Sequence, residues 1–149
     1  MKKFVFEFEA VLRLRCSERD VCRQSLGAAL RHDAELSRRE HEVEELRLAQ
    51  LDELRSMESS GGLDVEASLL RRNYAGRLAE ELAIVARERK QAADAIDRRR
   101  RELIVADQAV QSLEKLAARR KIEFGALEER REALAGEEAW RALHHPSRS

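Results

Sequence analysis

The 149-residue sequence has little of what builds a compact interior or interrupts a helix. Only 4% of its residues are aromatic, whereas 39% are charged. Such a composition suits long helices with one narrow apolar face better than a globular core. It contains six glycines and a single proline, Pro146. We therefore expect helix to run almost unbroken from about residue 8 to residue 144, with one break near the middle.

Further absences argue against several classes of protein. The sequence has no run of 18 or more apolar residues, and its first residues lack the apolar stretch of a secretory signal. Basic and acidic residues balance at 29 each, so the whole molecule has no net attraction to nucleic acid or an anionic membrane. Cys16 and Cys22 lie about 240° apart on a helix and cannot pair within it. We expect a cytosolic protein with reduced thiols.

No motif for catalysis, cofactor binding or metal binding is evident. Gly61 and Gly62 form the only glycine pair, and the Lys-Ser or Lys-Thr of a phosphate-binding loop does not follow them. His32 and His41 lie on a polar segment, and the remaining two histidines adjoin the C-terminal residues. Because two helices alone offer no water-excluding pocket, we expect no enzyme activity, no cofactor and no metal.

A seven-residue repeat of apolar positions runs through the second half of the chain. Seventeen positions from Leu78 to Leu134, in alternating steps of four and three, include thirteen apolar residues. The other four are Arg89, Arg99, Arg120 and Arg131. A heptad sustained this long predicts a left-handed coiled coil, and we call these positions the heptad stripe. A weaker ladder in the first half comprises Phe8, Leu12, Cys22, Leu26, Ala29, Leu36, Val43, Leu54 and Met57.

The predicted fold is all-α, with two long helices forming a single antiparallel coiled-coil hairpin whose second helix is longer. We expect an N-terminal arm over 1–7, helix one over 8–58, a turn over 59–63, helix two over 64–142 and a tail over 143–149. Asp64 is the expected N-cap of helix two. If the bend is centred on the glycine pair, the numbers of two residues that face each other across the helices add to roughly 123, a relation we call the facing rule. Helix one then covers helix two only to about Lys115.

Local charge is organised although the total cancels. Residues 98–121 carry eight bases against three acids, and residues 123–138 carry six acids against two bases. These zones fit either a docking surface or an ordinary solvated face. The four consecutive arginines at 98–101 point around the whole helix and have no aromatic neighbours for base stacking. Nucleic-acid binding is therefore the weaker interpretation of that run.

An apolar cluster near the bend is another candidate surface. Leu70, Tyr74 and Leu78 follow one another at intervals of four, which places them on one side of a helix. They either complete the heptad stripe opposite helix one or form a patch that binds a partner protein. The spacing fits both interpretations.

The two ends of the chain carry distinctive stretches. The first, FVFEFEAVLRLRCSERD, has alternating phenylalanines followed by a leucine and arginine run into a long helix. The second, VADQAVQSLEKLAARRKIEFGALEERREALAGEEAW, has an aromatic residue at Phe124 and an acidic stretch beyond it. Together they resemble the flagellar export protein FliJ family, and the second stretch is similar to its C-terminal helix. The YscO-like stalk proteins of injectisomes are a related group, and the phenylalanine opening favours the flagellar branch.

The resemblance implies a cytoplasmic, non-enzymatic component of the type III protein export apparatus, peripheral at the inner face of the cell membrane. Family members are antiparallel coiled coils similar to the gamma subunit of rotary ATP synthases. The implied partners are the hexameric, FliI-like export ATPase, the export gate protein FlhA and export chaperones. By position, gate binding falls on Tyr74, Leu78 and Leu82. Arg77 departs from the family, which commonly has an aromatic or aliphatic residue there.

The terminal end of the hairpin is the contact with the ATPase ring that the resemblance implies. The residues assigned to it are Phe4, Phe6, Phe8, Arg119, Arg120 and Phe124. Alternating phenylalanines ahead of a helix also predict an extended arm that folds onto helix two near Leu116 and Phe124. The alternative function is a generic self-associating coiled-coil scaffold, which explains the heptad stripe equally well and the two ends less well.

Overall fold

The computed structural model describes residues 2–62 and 64–145, and within these ranges it contains two α-helices and no strand. Helix α1 spans Glu9–Ser59 and helix α2 spans Val65–His144. With 80 residues against 51, α2 is the longer helix. The all-α prediction of two long helices, the second longer, is confirmed. The parts of the predicted turn and tail at residues 63 and 146–149 lie outside the described residues.

The C-terminal end of α1 is closed by glycine and by two serine hydroxyls. Gly61 has a φ of 71°, a left-handed backbone conformation that glycine adopts without steric cost. Just before it, the Ser59 and Ser60 hydroxyls donate hydrogen bonds to the carbonyls of Ser56 and Met57, each at 3.1 Å. The Ser56 carbonyl also accepts a hydrogen bond of 3.2 Å from the Ser60 amide, so carbonyls of the last turn are satisfied where α1 ends.

Asp64 caps the N-terminus of α2. Its Oδ1 accepts hydrogen bonds from the backbone amides of Glu66 at 3.1 Å and Ala67 at 3.4 Å. A carboxylate at this position also interacts favourably with the positive end of the helix dipole. The predicted N-cap is confirmed.

The chain divides into two compact units. Unit 1 comprises residues 1–20 and 104–149, and unit 2 comprises residues 21–103. The bend between α1 and α2 therefore belongs to unit 2, whereas the N-terminal arm and the C-terminal part of α2 belong to unit 1.

The two helices are antiparallel within unit 2. Three cross-helix polar contacts establish this: Gln50 with Arg71 at 3.3 Å, Arg39 with Glu81 at 2.7 Å, and Asp33 with Arg89 at 3.5 Å. The residue numbers in these pairs add to between 120 and 122, and those of Glu40 with Arg89 and Glu58 with Arg72 add to 129 and 130, so all lie within one heptad of the predicted 123. The chain therefore reverses about the glycine pair as the sequence indicated.

The core of unit 2 lies along the heptad stripe. Its buried residues from α2 are Ser68, Ala75, Leu78, Val85, Ala92 and Ile96. Those from α1 are Leu36, Val43 and Leu54. Ser68 and Ala75 extend the predicted stripe toward the bend in the same seven-residue step, and the side chain of Val85 is 0% exposed. Burial of each aliphatic side chain contributes about 1.5–3 kcal/mol to the free energy of unfolding.

Arg89 occupies a stripe position between these apolar residues and connects α2 to α1. Its Nε lies 3.5 Å from Asp33 Oδ1, and its Nη1 lies 3.4 Å from Glu40 Oε2. The hydrogen bonds with Asp33 and then Glu40 raise the pKa of the guanidinium above its ordinary value. The aliphatic stem of an arginine can fill the stripe while its charged end stays partly in water, which explains how the stripe tolerates this residue.

Candidate partner-binding surfaces

In unit 1 the N-terminal arm packs on α2 through its phenylalanines. The Phe4 and Phe124 ring centroids are 5.6 Å apart, with the ring planes inclined at 52°. Phe6 is 7% exposed, and its ring contacts that of Phe8 edge to face at 5.8 Å. Such pairs add about 0.5–1.5 kcal/mol beyond the burial of their area. The prediction that the arm folds onto α2 near Phe124 is confirmed.

The alternation of the arm residues explains which side chains reach α2. Residues 2–6 are outside any helix, and Val5 is exposed between the partly buried Phe4 and the buried Phe6. Period-two alternation turns every second side chain of a non-helical chain toward one side. At the end of the arm, the Phe6 carbonyl accepts a hydrogen bond of 3.2 Å from the Glu9 amide, and α1 starts there.

The arm leaves an open cavity of about 420 Å³ against α2. Its walls are Lys3, Phe4, Val5, Phe6, Glu7, Arg120, Glu123, Phe124 and Leu127. Arg120 Nη2 lies 3.3 Å from Glu7 Oε1, an exposed ion pair that connects the arm to α2. Arg119 is exposed on the same stretch of helix. The structure thus brings most of the residues assigned to the ATPase ring into one neighbourhood of unit 1.

The arm reaches further along α2 than the antiparallel register of the helices would place it. The facing rule places Phe4 opposite residue 119, but its ring packs on Phe124, and Leu127 lines the same cavity. A non-helical chain advances up to about 3.3 Å per residue and a helix only about 1.5 Å, so the arm reaches further along α2 than a helix of equal length. The predicted limit near Lys115 applied to helix one alone, and beyond it α2 is covered by the arm, as the alternating phenylalanines predicted.

The last part of α2 carries apolar side chains on an exposed helix. Residues 129–145 are all exposed, including Leu134, Trp140 and Leu143. The Trp140 ring, 57% exposed, stacks on the His144 ring with centroids 4.4 Å apart. The same segment holds most of the acidic zone at 123–138. An exposed helix that combines apolar and acidic side chains is suited to docking on a partner with a basic, partly apolar surface.

The residues assigned to the gate lie on α2 of unit 2 and differ in exposure. Leu78 is 5% exposed and belongs to the core, whereas Tyr74 is 38% exposed and Leu82 is partly buried. Leu69 and Leu70, closer to the bend, are exposed as well. Of the three residues, Tyr74 therefore offers the largest free surface, and Leu78 holds the helix beneath it in place.

A groove between α1 and α2 of unit 2 was not indicated by the sequence. Its open cavity of about 640 Å³ is lined by His32, Glu35, Leu36, Arg38, Arg39, Glu42, Val43, Leu46, Tyr74, Leu78, Glu81 and Glu88. We call these residues the groove. Tyr74 is the one member for which the sequence suggested surface binding. The sequence feature that could have indicated the groove is a pair of glutamates seven residues apart on each helix, Glu35 with Glu42 and Glu81 with Glu88.

Two arginines of α1 form ion pairs with Glu42 and Glu81, which face each other across the groove and make up one level of it. Arg38 pairs with Glu42 at 3.1 Å, and Arg39 Nη2 donates to Glu81 Oε1 at 2.7 Å. The hydrogen bond with Glu81 raises the pKa of the Arg39 guanidinium, and the charge of Glu88 adds a smaller increase in the same direction. The groove as a whole keeps more carboxylates than cations.

Three further features considered from the sequence are metal ligands, the arginine run at 98–101 and a membrane span. No group of three or more His, Cys, Asp or Glu side chains that could hold a metal occurs within residues 2–62 and 64–145. In the arginine run at 98–101, Arg99 pairs with Glu102 of its own helix at 3.2 Å, and all four arginines are exposed. Neither helix, over the residues described, is apolar enough along its length to cross a membrane.

Comparison with known proteins identifies the family. The family model described as FliJ, flagellar FliJ protein, matches residues 4–144 and so extends from the arm to the end of α2. Searches of curated proteins and of solved structures returned no match. Because the match covers nearly the whole chain, the chain belongs to the FliJ family and is a component of the flagellar protein export apparatus.

Proposed function

We propose that the chain is a stalk of the export apparatus, which binds the hexameric export ATPase through unit 1 and the export gate protein FlhA through unit 2. It couples ATP hydrolysis to the gate without catalysing a reaction itself. In this role it works in the cytoplasm, at the inner face of the cell membrane. The observation that carries the proposal is the family match over residues 4–144, which includes both candidate surfaces.

The exposed end of α2 supports the ring contact. An isolated helix of this length is marginal in water, because most helical stability in proteins comes from packing of an apolar face. Leu134, Trp140 and Leu143 are exposed here, and a partner that buried them would gain about 1.5–3 kcal/mol for each fully buried side chain. The arm, packed on Phe124, provides a firm base for the segment.

The exposure of Tyr74 supports the gate contact. Tyrosine combines a large apolar ring with a polar tip, and it is enriched at protein interfaces for that reason. Tyr74 lies one turn before the buried Leu78, so the core fixes its position on α2. We assign Tyr74 and Leu82 to direct contact with the gate and Leu78 to support of that surface.

Removal of residues 129–149 is expected to abolish the effect of the protein on the export ATPase. The full chain should raise the rate of ATP hydrolysis or promote hexamer formation, and the shortened chain should do neither, because it lacks the exposed end of α2. The measurement is ATP turnover by the purified ATPase with increasing amounts of either protein. Removal of residues 146–149 alone, which leaves α2 intact to His144, is the matched control. Equal stimulation by both shortened chains would place the ring contact elsewhere.

Replacement of Tyr74 with alanine is expected to weaken binding to the cytoplasmic domain of the gate protein by at least about tenfold, the range for an aromatic hot spot. The stability of the hairpin should change little, since Tyr74 is partly exposed. Isothermal titration calorimetry measures the affinity, and Leu69→Ala provides a control on an exposed residue that lies elsewhere on the helix surface. If both variants bind the gate as tightly as the unchanged chain, Tyr74 does not contact it.

A further inference from the structure

The groove has two chemically different ends. At one end Leu46 of α1 and Tyr74 of α2 are exposed above the buried Val43 and Leu78. At the other end the groove is lined by Glu35 and Glu88 together with His32. An apolar end followed by an acidic end is the complement of an amphipathic segment whose apolar and basic side chains share one face.

The acidic end is less compensated by internal cations than the level one heptad away. Glu42 and Glu81 stand at one level of the antiparallel pair and are each paired with an arginine of α1. Glu35 and Glu88 stand at the next level; within residues 2–62 and 64–145 neither has a cation within 4 Å, and the charge of Glu88 acts on Arg39 only at longer range. Two carboxylates at one level repel each other across the helices, and this repulsion is relieved when a cation is placed between them.

The dimensions of the groove match a short helix. From Leu46 to Glu35 is eleven residues of α1, roughly 16 Å along the helix axis. Eleven residues are close to three full helical turns, so two side chains at this spacing on a partner helix also face the same way. An apolar side chain could thus meet Leu46 and Tyr74 while a lysine or arginine on the same face reached Glu35 and Glu88.

We propose that the groove binds a positively charged amphipathic helix of a partner protein, with its apolar end on Leu46 and Tyr74 and its basic end on Glu35 and Glu88. This inference rests on the proposed gate docking only in that both use Tyr74. It extends that surface to residues of α1 and specifies the chemistry of the partner. Binding is electrostatically steered and weakens as salt is raised.

The test uses the full chain and two synthetic helices of about 15 residues, one built of leucine and lysine and the other with every lysine replaced by glutamate. The lysine helix should bind, and the glutamate helix should not. The E35Q/E88Q variant should bind the lysine helix about tenfold more weakly, as expected for the loss of two partly exposed charge pairs. Leu46→Ser should weaken binding as well, without unfolding the chain, because Leu46 is exposed.

The matched control is D94N/D97N, which removes two exposed carboxylates of α2 in unit 2 that do not line the groove. Equal weakening by the control and the groove variant would mean nonspecific attraction and would overturn the proposal, as would failure of the lysine helix to bind.

The gate domain is titrated in parallel. If it binds through Tyr74 while the lysine helix does not bind, the groove inference is rejected; if the reverse holds, the gate docking is rejected and the groove remains.

Discussion

Replacement of Val85 with aspartate is expected to lower the free energy of unfolding of unit 2 by about 3–5 kcal/mol, the range for an uncompensated buried charge. Val85 is fully buried on the heptad stripe, and aspartate there would lose both the apolar contacts and the hydration of its carboxylate. The penalty should be largest at neutral pH. Burial raises the pKa of such a carboxyl group, so the penalty should shrink as the pH falls and the group takes up a proton.

A urea titration followed by circular dichroism measures this effect, with Ala86→Asp as the control. Ala86 follows Val85 directly and is exposed, so an aspartate there remains in water and should change the free energy of unfolding by less than about 1 kcal/mol. If the two variants unfold at the same urea concentration, Val85 does not face α1, and the placement of the heptad stripe is wrong.

Replacement of Phe6 with serine is expected to release the arm and loosen unit 1 around Phe124. Burial of a phenylalanine contributes about 1.5–3 kcal/mol, so opening of this part of α2 should become roughly 10- to 150-fold more frequent. Hydrogen exchange of the backbone amides near Phe124 measures this opening. Amides of unit 2 near Val85 should exchange at an unchanged rate, because Phe6 belongs to unit 1.

Val5→Ser is the matched control, since Val5 is the neighbour of Phe6 in the arm and is exposed. It should leave exchange near Phe124 at the rate of the unchanged chain. An equal rate in the Phe6 variant would contradict the docking of the arm, whereas faster exchange in both variants would show that the arm depends on its backbone path more than on the phenylalanine ring.

The fold was largely predictable, because its signals are local. Heptad spacing depends only on the order of residues, and it correctly predicted the burial of Leu78, Val85, Ala92, Ile96 and Val110. The glycine pair and Asp64 likewise determine a helix end and a helix start through their own backbone and side-chain hydrogen bonds. The ladder in α1 was harder to place, since Leu36, Val43 and Leu54 are separated by steps of seven and eleven.

The candidate surfaces were less predictable, because each depends on residues distant in the sequence. The alternating phenylalanines correctly predicted that the arm packs near Phe124, whereas the facing rule, which assumes a helical rise throughout, would place Phe4 only near residue 119. Equal spacing placed Tyr74 and Leu78 in one cluster, yet only the packing of α1 shows that the second is buried and the first is partly exposed. The contribution of Leu46 to the same surface depends on the register of the two helices.

The sequence by itself determined that this chain forms two helices about one bend, along which face they pack, and to which family they belong. Each of these follows from residue order, through periodicity, capping and motif. Only the tertiary structure decided how the arm lies on α2, which residues near the bend remain exposed, and that carboxylates of both helices meet in the groove. The physical reason is that exposure and charge proximity are properties of pairs of residues, and the pairs here are formed across the two helices.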